Sequence, residues 1–414
     1  MLLEETELVR IEVRICSFDV EDAMLWLRSQ HEFPKVFFLN PERSHIAAGV
    51  GSAHLVSGEG DLQRHLLPEG TPACFRYYGG SRFDAGARVG KEWQEFGGHY
   101  FVLPQIEIFY SNCANAQDAT KSLGEAISAV KQMNVVLSEE RDLPKPSSMK
   151  DGSSYEHWKS SIESALEELK KGAELRKVVL SRNFFVEFST EVEPMDLLLK
   201  LKYHQGYLFC LQPTPGSAFL GCSPEPLFKI SHDIIETMAI SGTRPRGQSA
   251  EQDEELAKEL LASEKDKYEN GVTTKYIQEQ LANVAEDVET SEIYVMKLRH
   301  VQHICRKIRA KPSSKAATPI ELLLTLNPTP AVCGESRPVA TRFIRSVEGF
   351  DRGFFGGPVG FVSSSVCEFL VAIRSVLCKP KMLHVYAGAG IVPGSDPKSE
   401  WEETAFKMRN ILQL

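Results

Sequence analysis

Apolar and polar residues alternate with a period of two in Val9-Arg-Ile-Glu-Val-Arg-Ile15, which predicts a strand with one buried face. Helical spacing takes over at 118–137, and again where Trp158, Ile162, Leu166 and Leu169 recur three or four apart. The run Lys177-Val-Val-Leu-Ser-Arg-Asn-Phe-Phe-Val-Glu-Phe188 then predicts a strand buried on at least one face. Between these, 138–154 exchanges periodic apolar residues for prolines, serines and charges. It reads as a surface connection between an N-terminal scaffold part, 1–137, and a second region, 155–414. Strands and helices of uneven length follow to the end, without the regular rhythm of a doubly wound parallel sheet.

Composition narrows the class. With 414 residues, 42% hydrophobic and 25% charged, the chain can bury one large core or two coupled ones. A formal charge of -9 without a basic stripe speaks against nucleic acid or an anionic membrane surface as partner. Any anionic substrate must therefore be met by local positive groups. Nine cysteines stand singly with no Cys-x-x-Cys pair, which suggests neither zinc nor a disulfide framework and fits a reducing compartment. The acidic start, Met1-Leu-Leu-Glu-Glu-Thr-Glu, has no basic region or long apolar run, so a cytoplasmic location is expected.

Candidate chemistry concentrates after residue 177. In Tyr386-Ala-Gly-Ala-Gly390-Ile-Val-Pro-Gly-Ser-Asp396-Pro397-Lys-Ser-Glu400-Trp-Glu-Glu403, Gly388 and Gly390 lack the Cβ that would keep a ligand off the backbone amides. Asp396 and Pro397 predict an N-cap and a first helical position, which puts Glu400 and Glu403 on one face. Oxygen-only ligation of this kind suits Mg2+, and the same residues also suit a solvated acidic first turn favoured by the helix dipole. Lys177 opens an apolar strand, where a desolvated amine becomes a base near neutrality; a strand-end lysine reaching to water is the alternative. Glu225 lies between Pro224 and Pro226, either a pinned general acid or a turn residue. Ile240-Ser-Gly242-Thr243-Arg-Pro-Arg-Gly247 is a glycine-bounded basic turn able to offer amides to an oxyanion, and 253–281 reads as a helical region containing Glu269.

In order, Lys177-Val-Val-Leu-Ser-Arg182, Ser223-Pro-Glu225, Gly242-Thr243-Arg-Pro-Arg-Gly247, Pro328-Thr-Pro-Ala-Val-Cys-Gly334, Phe350-Asp-Arg-Gly353, Ile373-Arg-Ser375 and Tyr386 to Glu403 resemble the chorismate-utilising enzymes. That family includes isochorismate, salicylate, anthranilate and aminodeoxychorismate synthases. Tyr78-Gly-Gly-Ser-Arg82-Phe-Asp84 and Glu92-Trp93-Gln-Glu-Phe96-Gly resemble its menaquinone-type and plant isochorismate synthase branch. The resemblance implies an α+β fold like that of anthranilate synthase component I, two packed antiparallel sheets with outer helices. It also implies an isomerase: Lys177 takes a proton from water, which attacks C2 of chorismate, while Glu225 protonates the departing C4 hydroxyl. Glu269 and Glu403 would bind Mg2+, with Glu400 close enough to assist. Arg374 would clamp the enolpyruvyl carboxylate, Lys407 would reach the ring carboxylate, and the amides of Gly242, Thr243, Gly388 and Gly390 would complete the anion site.

Within the family, lysine at position 177 goes with water, whereas ammonia-using anthranilate synthases have glutamine there. Ser241 stands where aminodeoxychorismate synthases carry a nucleophilic lysine. No segment resembles a glutamine amidotransferase, so no such subunit is expected. Salicylate synthase, which goes on to eliminate pyruvate, is the alternative activity, and a silent chorismate-binding homologue a third. In a plastid-bearing cell the chain would suit the organelle. Asn327 and Asn270 stand where many relatives have histidine, Phe355 where many have tyrosine, and Met238 to Ser241 replaces a usual Glu-Ala-Leu-Ala. A lost tyrosine hydroxyl would remove a substrate hydrogen bond, worth roughly 0.5 to 1.5 kcal/mol net.

Overall fold

The structure, a computed structural model, describes residues 19–58, 62, 66–67, 71–111, 141–172, 174–297, 301–313 and 318–412. The strand expected at 9–15 and the helix expected at 118–137 lie outside them. The described strands form two sheets of ten. One runs Gly334–Glu335, Lys177–Phe188, Met382–Ile391, Ser375–Lys379, Ser217–Ser223, Tyr207–Thr214, Lys35–Leu39, His45–Val50, Ile106–Ser111, with Pro146–Asp151 added beside Lys177–Phe188. The other runs Ala285–Thr290, Val301–Pro312, Ile234–Pro245, Pro226–Ser231, Cys367–Val371, Pro358–Val362, Tyr77–Ser81, His99–Leu103, His54–Gly58, with Tyr294–Lys297 added beside Val301–Pro312. Pairing is antiparallel throughout the central strands, for example Ala387 opposite Arg182 and Phe361 opposite Tyr78.

Aromatic and aliphatic side chains from both sheets meet in one inner core, with Phe38, Phe209, Phe219 and Leu377 from the first and Tyr78, Val359, Phe361 and Leu370 from the second. The outer faces carry helices. Val20–Ser29 and Pro194–Leu201 cover the first sheet, while Ile277 of Glu264–Leu281, Leu323 of Pro319–Leu326 and Ile344 of Arg337–Val347 join the outer core of the second. The architecture is therefore α+β, as expected. Strands from residues 35–111 enter both sheets beside strands from 177 onward, and within 138–154 the segment Pro146–Asp151 is a largely exposed strand. No described helix is long and apolar enough to cross a membrane.

The two motifs near residues 78 and 93 close over the Phe350-Asp-Arg-Gly353 turn. Arg82 pairs with Asp351 at 2.6 Å, and Gly90 N donates to the other oxygen of Asp351 at 2.8 Å. Trp93 is fully buried and stacks on Phe354 at 5.9 Å between ring centroids. Gly353 takes φ +53 under the indole, where an added Cβ would lie 2.0 Å from a ring atom. From this turn Arg352 donates to Val179 O at 2.7 Å, while Glu348 accepts from Ser181 N at 2.6 Å. The N-terminal motifs thus brace the strand that Lys177 opens.

Candidate active site

Two of the places where the chain crosses from one sheet to the other lie side by side. Ser217–Ser223 and Pro226–Ser231 lie in different sheets, with Glu225 between them; Cys367–Val371 and Ser375–Lys379 do likewise, with Arg374 between them. Backbone bonds join the crossings: Val371 N donates to Glu225 O at 3.0 Å and Cys222 N to Arg374 O at 3.1 Å. Ser223 Oγ donates to Val371 O at 2.6 Å and accepts from Glu225 N at 3.2 Å. Pro224 and Pro226 have no N–H to place in a ladder, which suits a crossing. Arg374 takes φ +53, a conformation rarely adopted by a residue with a side chain. Burial pushes the Glu225 carboxyl up to about 7 against the pull of Lys177, then Lys407 and Arg374. The proposed acid therefore sits near Lys177, Lys407 and Arg374, in a site where burial outweighs their pull and it keeps a proton near neutrality.

Opposite these crossings, Met382–Ile391 pairs along its length with Lys177–Phe188 but with Ser375–Lys379 only as far as Val385. Its second edge is open beyond that point, and Lys407 Nζ donates to Gly388 O there at 2.8 Å. A strand residue's N–H and C=O point to the same side, and the side alternates. The amides of Gly388 and Gly390 consequently face the open edge together with Lys407. A Cβ on Gly390 would lie 3.2 Å from Lys177 Cε, 3.6 Å from Glu269 Oε1 and 3.7 Å from Lys177 Nζ. Glycine is what lets the lysine and the glutamate meet over this strand.

The helix Pro397–Leu412 begins where the sequence predicts, with Asp396 Oδ2 accepting from Ser399 N at 2.8 Å. Glu403 and Lys407 pair at 2.6 Å, and Glu400 lies 3.6 Å from Lys265. Burial pushes the Glu400 carboxyl up, and so do Glu403 and, less strongly, Glu269, against Lys265. Burial alone would raise Glu403, but Lys407, then Lys265 and Arg374, bring its carboxyl below the usual range. The three glutamates thus share one electrostatic neighbourhood. Among the described residues no three His, Cys, Asp or Glu side chains are gathered closely enough to hold a metal by themselves. The helical region expected over 253–281 is two helices, Ala250–Ala262 and Glu264–Leu281, broken at Ser263. Ser263 ends the first and caps the second by accepting from Asp266 N at 3.3 Å, which sets the direction of Glu269.

Gly242 adopts φ +58 and its carbonyl accepts a bond from His303 Nδ1 at 3.0 Å, with Thr243 Oγ1 at 3.2 Å from the same nitrogen. Sequence reasoning missed His303. Burial lowers its pKa to about 4, and Arg374 and Lys407 add to that lowering. The ring is neutral at physiological pH, and with Nδ1 carrying the proton toward Gly242, the buried Nε2 is a bare acceptor with no partner among the described residues. It suits a substrate hydroxyl. The available signal was the polar pair Gln302-His303 inside the apolar run Val301–Cys305.

The departures from the family pattern find places of their own. Asn270 is fully buried and clips its helix to two strands, donating to Ala239 O at 3.0 Å and Ile304 O at 3.4 Å. Phe355 stacks on Tyr386 at 5.3 Å in the inner core. Asn327 ends the helix Pro319–Leu326, and its carbonyl accepts from Arg337 at 2.8 Å. A groove of about 450 Å³ along 83–88 and 344–352 contains none of the candidate site residues.

The model of the family described as "Chorismate binding enzyme" matches residues 2–414. The chain is 34% identical to "Isochorismate synthase 2, chloroplastic" of Arabidopsis thaliana, over 97% of this chain and 78% of that protein. It is 29% identical to "Isochorismate synthase MenF" of Haemophilus influenzae, over 99% of this chain and 92% of that protein. Among solved structures it superposes on MenF, the menaquinone-specific isochorismate synthase from Escherichia coli, with a TM-score of 0.83 and 27% identity, over 96% of this chain and 91% of that one.

Proposed function

Since the chain belongs to the chorismate binding enzyme family, we propose that it is an isomerase that converts chorismate to isochorismate with Mg2+. The observation that carries this reading is Glu225, a buried carboxyl held at about 7 beside Lys177 and Arg374. An acid in that range can protonate a leaving oxygen at neutral pH, and hydroxide leaves poorly without one. Lys177 takes the proton of the attacking water, so a hydroxyl is gained at C2 and one is lost as water from C4 while the ring double bonds shift. Arg374 pairs with the enolpyruvyl carboxylate, and Lys407 with the amides of Gly388 and Gly390 receives the ring carboxylate. Gly242 and Thr243 flank the neutral His303, which accepts from a ring hydroxyl.

The donor chemistry suits Mg2+: Glu269 and Glu403 would supply carboxylate oxygens, Glu400 shares their electrostatic neighbourhood, and Mg2+ takes one or two protein carboxylates and keeps its other positions for water and substrate. When bound, Mg2+ would neutralise carboxylate charge and hold the ring carboxylate. The test is the product mixture formed from chorismate by purified protein with and without Mg2+, separated by chromatography. Isochorismate formed only with Mg2+ is the expected result. Salicylate with pyruvate, or no turnover in either condition, would overturn it.

A further inference from the structure

Arg182 ends the strand motif that Lys177 opens, yet no step above uses it. Its side chain is 2% exposed, an unusual place for a guanidinium. It reaches from the strand into the helix Pro397–Leu412. Nε donates to Thr404 Oγ1 at 2.8 Å, Nη2 donates to Trp401 O at 3.3 Å, and the guanidinium carbon lies 3.4 Å from the Trp401 ring centroid. Trp401 is held edge-on in turn by Tyr155 and Trp158, at 5.5 and 6.3 Å between centroids. Asp151, from the exposed strand Pro146–Asp151, pairs with Arg182. That ion pair offsets the desolvation of the buried cation.

Trp401 and Thr404 alternate along the helix with the groups assigned to chemistry, Glu400, Glu403 and Lys407. A planar fork of five donors bonded to two points and stacked on a third fixes both the rotation and the axial position of what it holds. We infer that Arg182 is a positioning residue, which sets the pose of the helix Pro397–Leu412 and thereby the placement of Glu403 and Lys407 relative to Lys177 on its own strand. The strand bearing the base indexes the helix bearing the groups that face anion and metal. A segment outside the site, Pro146–Asp151, supplies the counter-charge. The inference rests on the reading of Lys177, Glu403 and Lys407 as parts of one chorismate site.

The test compares the full-length protein with Arg182→Lys and Thr404→Val. Chorismate binding is measured by calorimetry with and without Mg2+, beside steady-state kinetics, a pH profile and thermal unfolding. Thr404→Val keeps the side-chain shape and removes the hydroxyl, so it yields a folded comparison even where Arg182→Lys does not. In both variants half-saturating chorismate and Mg2+ rise together by about tenfold, the scale of one charge-assisted hydrogen bond. The limb of the pH profile set by Glu225 stays in place. A lower unfolding temperature with unchanged saturation would make Arg182 a fold support alone and overturn the inference, as would a shifted pH limb with unchanged saturation. Wild-type protein that binds chorismate without forming isochorismate would overturn the proposed reaction only, because the calorimetric comparison still decides the role of Arg182.

Discussion

Glu225 makes the sharpest demand at the scale of single residues. In its proposed role its carboxyl must be protonated to act, so the limb of the pH-rate profile that it sets should fall as pH rises through about 7. Glu225→Gln should lower kcat by roughly 10²- to 10⁴-fold and abolish that limb, as read from a pH-rate profile. Stability runs in the same sense. The folded carboxyl keeps its proton from its ordinary value of 4.5 up to about 7 while the unfolded one has lost it, so the group costs stability as pH rises through that window. Glu225→Gln should therefore unfold at a higher temperature than wild type at pH 8 and show little gain at pH 4, a difference on the order of 3 kcal/mol. Gly390→Ala puts a methyl 3.2 Å from Lys177 Cε. Steady-state kinetics should show about a tenfold or larger fall in kcat/KM, since a small misplacement of a reacting group is costly. Lys177 and Glu225 drew notice because each is an isolated polar residue in an apolar or proline-fixed setting, and the family resemblance supplied the roles proposed for them. His303 was not, because one histidine in a strand gives no sign of which group will face its free nitrogen.

Elements carry these residues, and their junctions are where substitutions should be felt. Gly353→Ala meets both φ +53 and a Trp93 ring atom 2.0 Å away, so it should cost about 3 kcal/mol or more and lower the unfolding temperature markedly. Gly349, a few residues earlier, has nothing within 4 Å of an added Cβ, and Gly349→Ala is the matched control that should leave the unfolding temperature nearly unchanged. The cap at Ser263 offers a second test. Ser263→Ala removes the acceptor for Asp266 N, at a cost of about 1 kcal/mol, and by loosening the first turn before Glu269 it should raise half-saturating Mg2+ in a titration. The start of Pro397–Leu412 could be read from Asp396 and Pro397 because cap chemistry is local. The break at Ser263 could not, because neither proline nor glycine marks it and Leu260-Leu261-Ala262 before it and Glu264-Lys265 after it are helix formers that give the periodicity no reason to stop there.

At the scale of the whole molecule, the two sheets meet through a common aromatic core, and the site lies where the chain passes between them. A site assembled in this way should bind before it reacts. Lys177→Ala should lose turnover yet keep Mg2+-dependent stabilisation by chorismate, of about 2.7 kcal/mol at a hundredfold excess over Kd, seen as a raised unfolding temperature. Loss of both would show that Lys177 holds the substrate rather than activating water. Residue type and spacing within one element were enough for the ordered motifs, the glycine-opened strand end and the capped helix after it, whereas the base and acid roles proposed for Lys177 and Glu225 came from the family resemblance those motifs carry. It took the packed fold to set Glu225 and Arg374 on two adjoining crossings, to bring Lys177 and Glu269 together over Gly390, to leave a buried nitrogen of His303 bare, and to place Asp151 against a buried arginine. Those proximities join residues up to about two hundred positions apart, and nothing in local propensity encodes them; they follow from strand register and from which side of each sheet a helix covers.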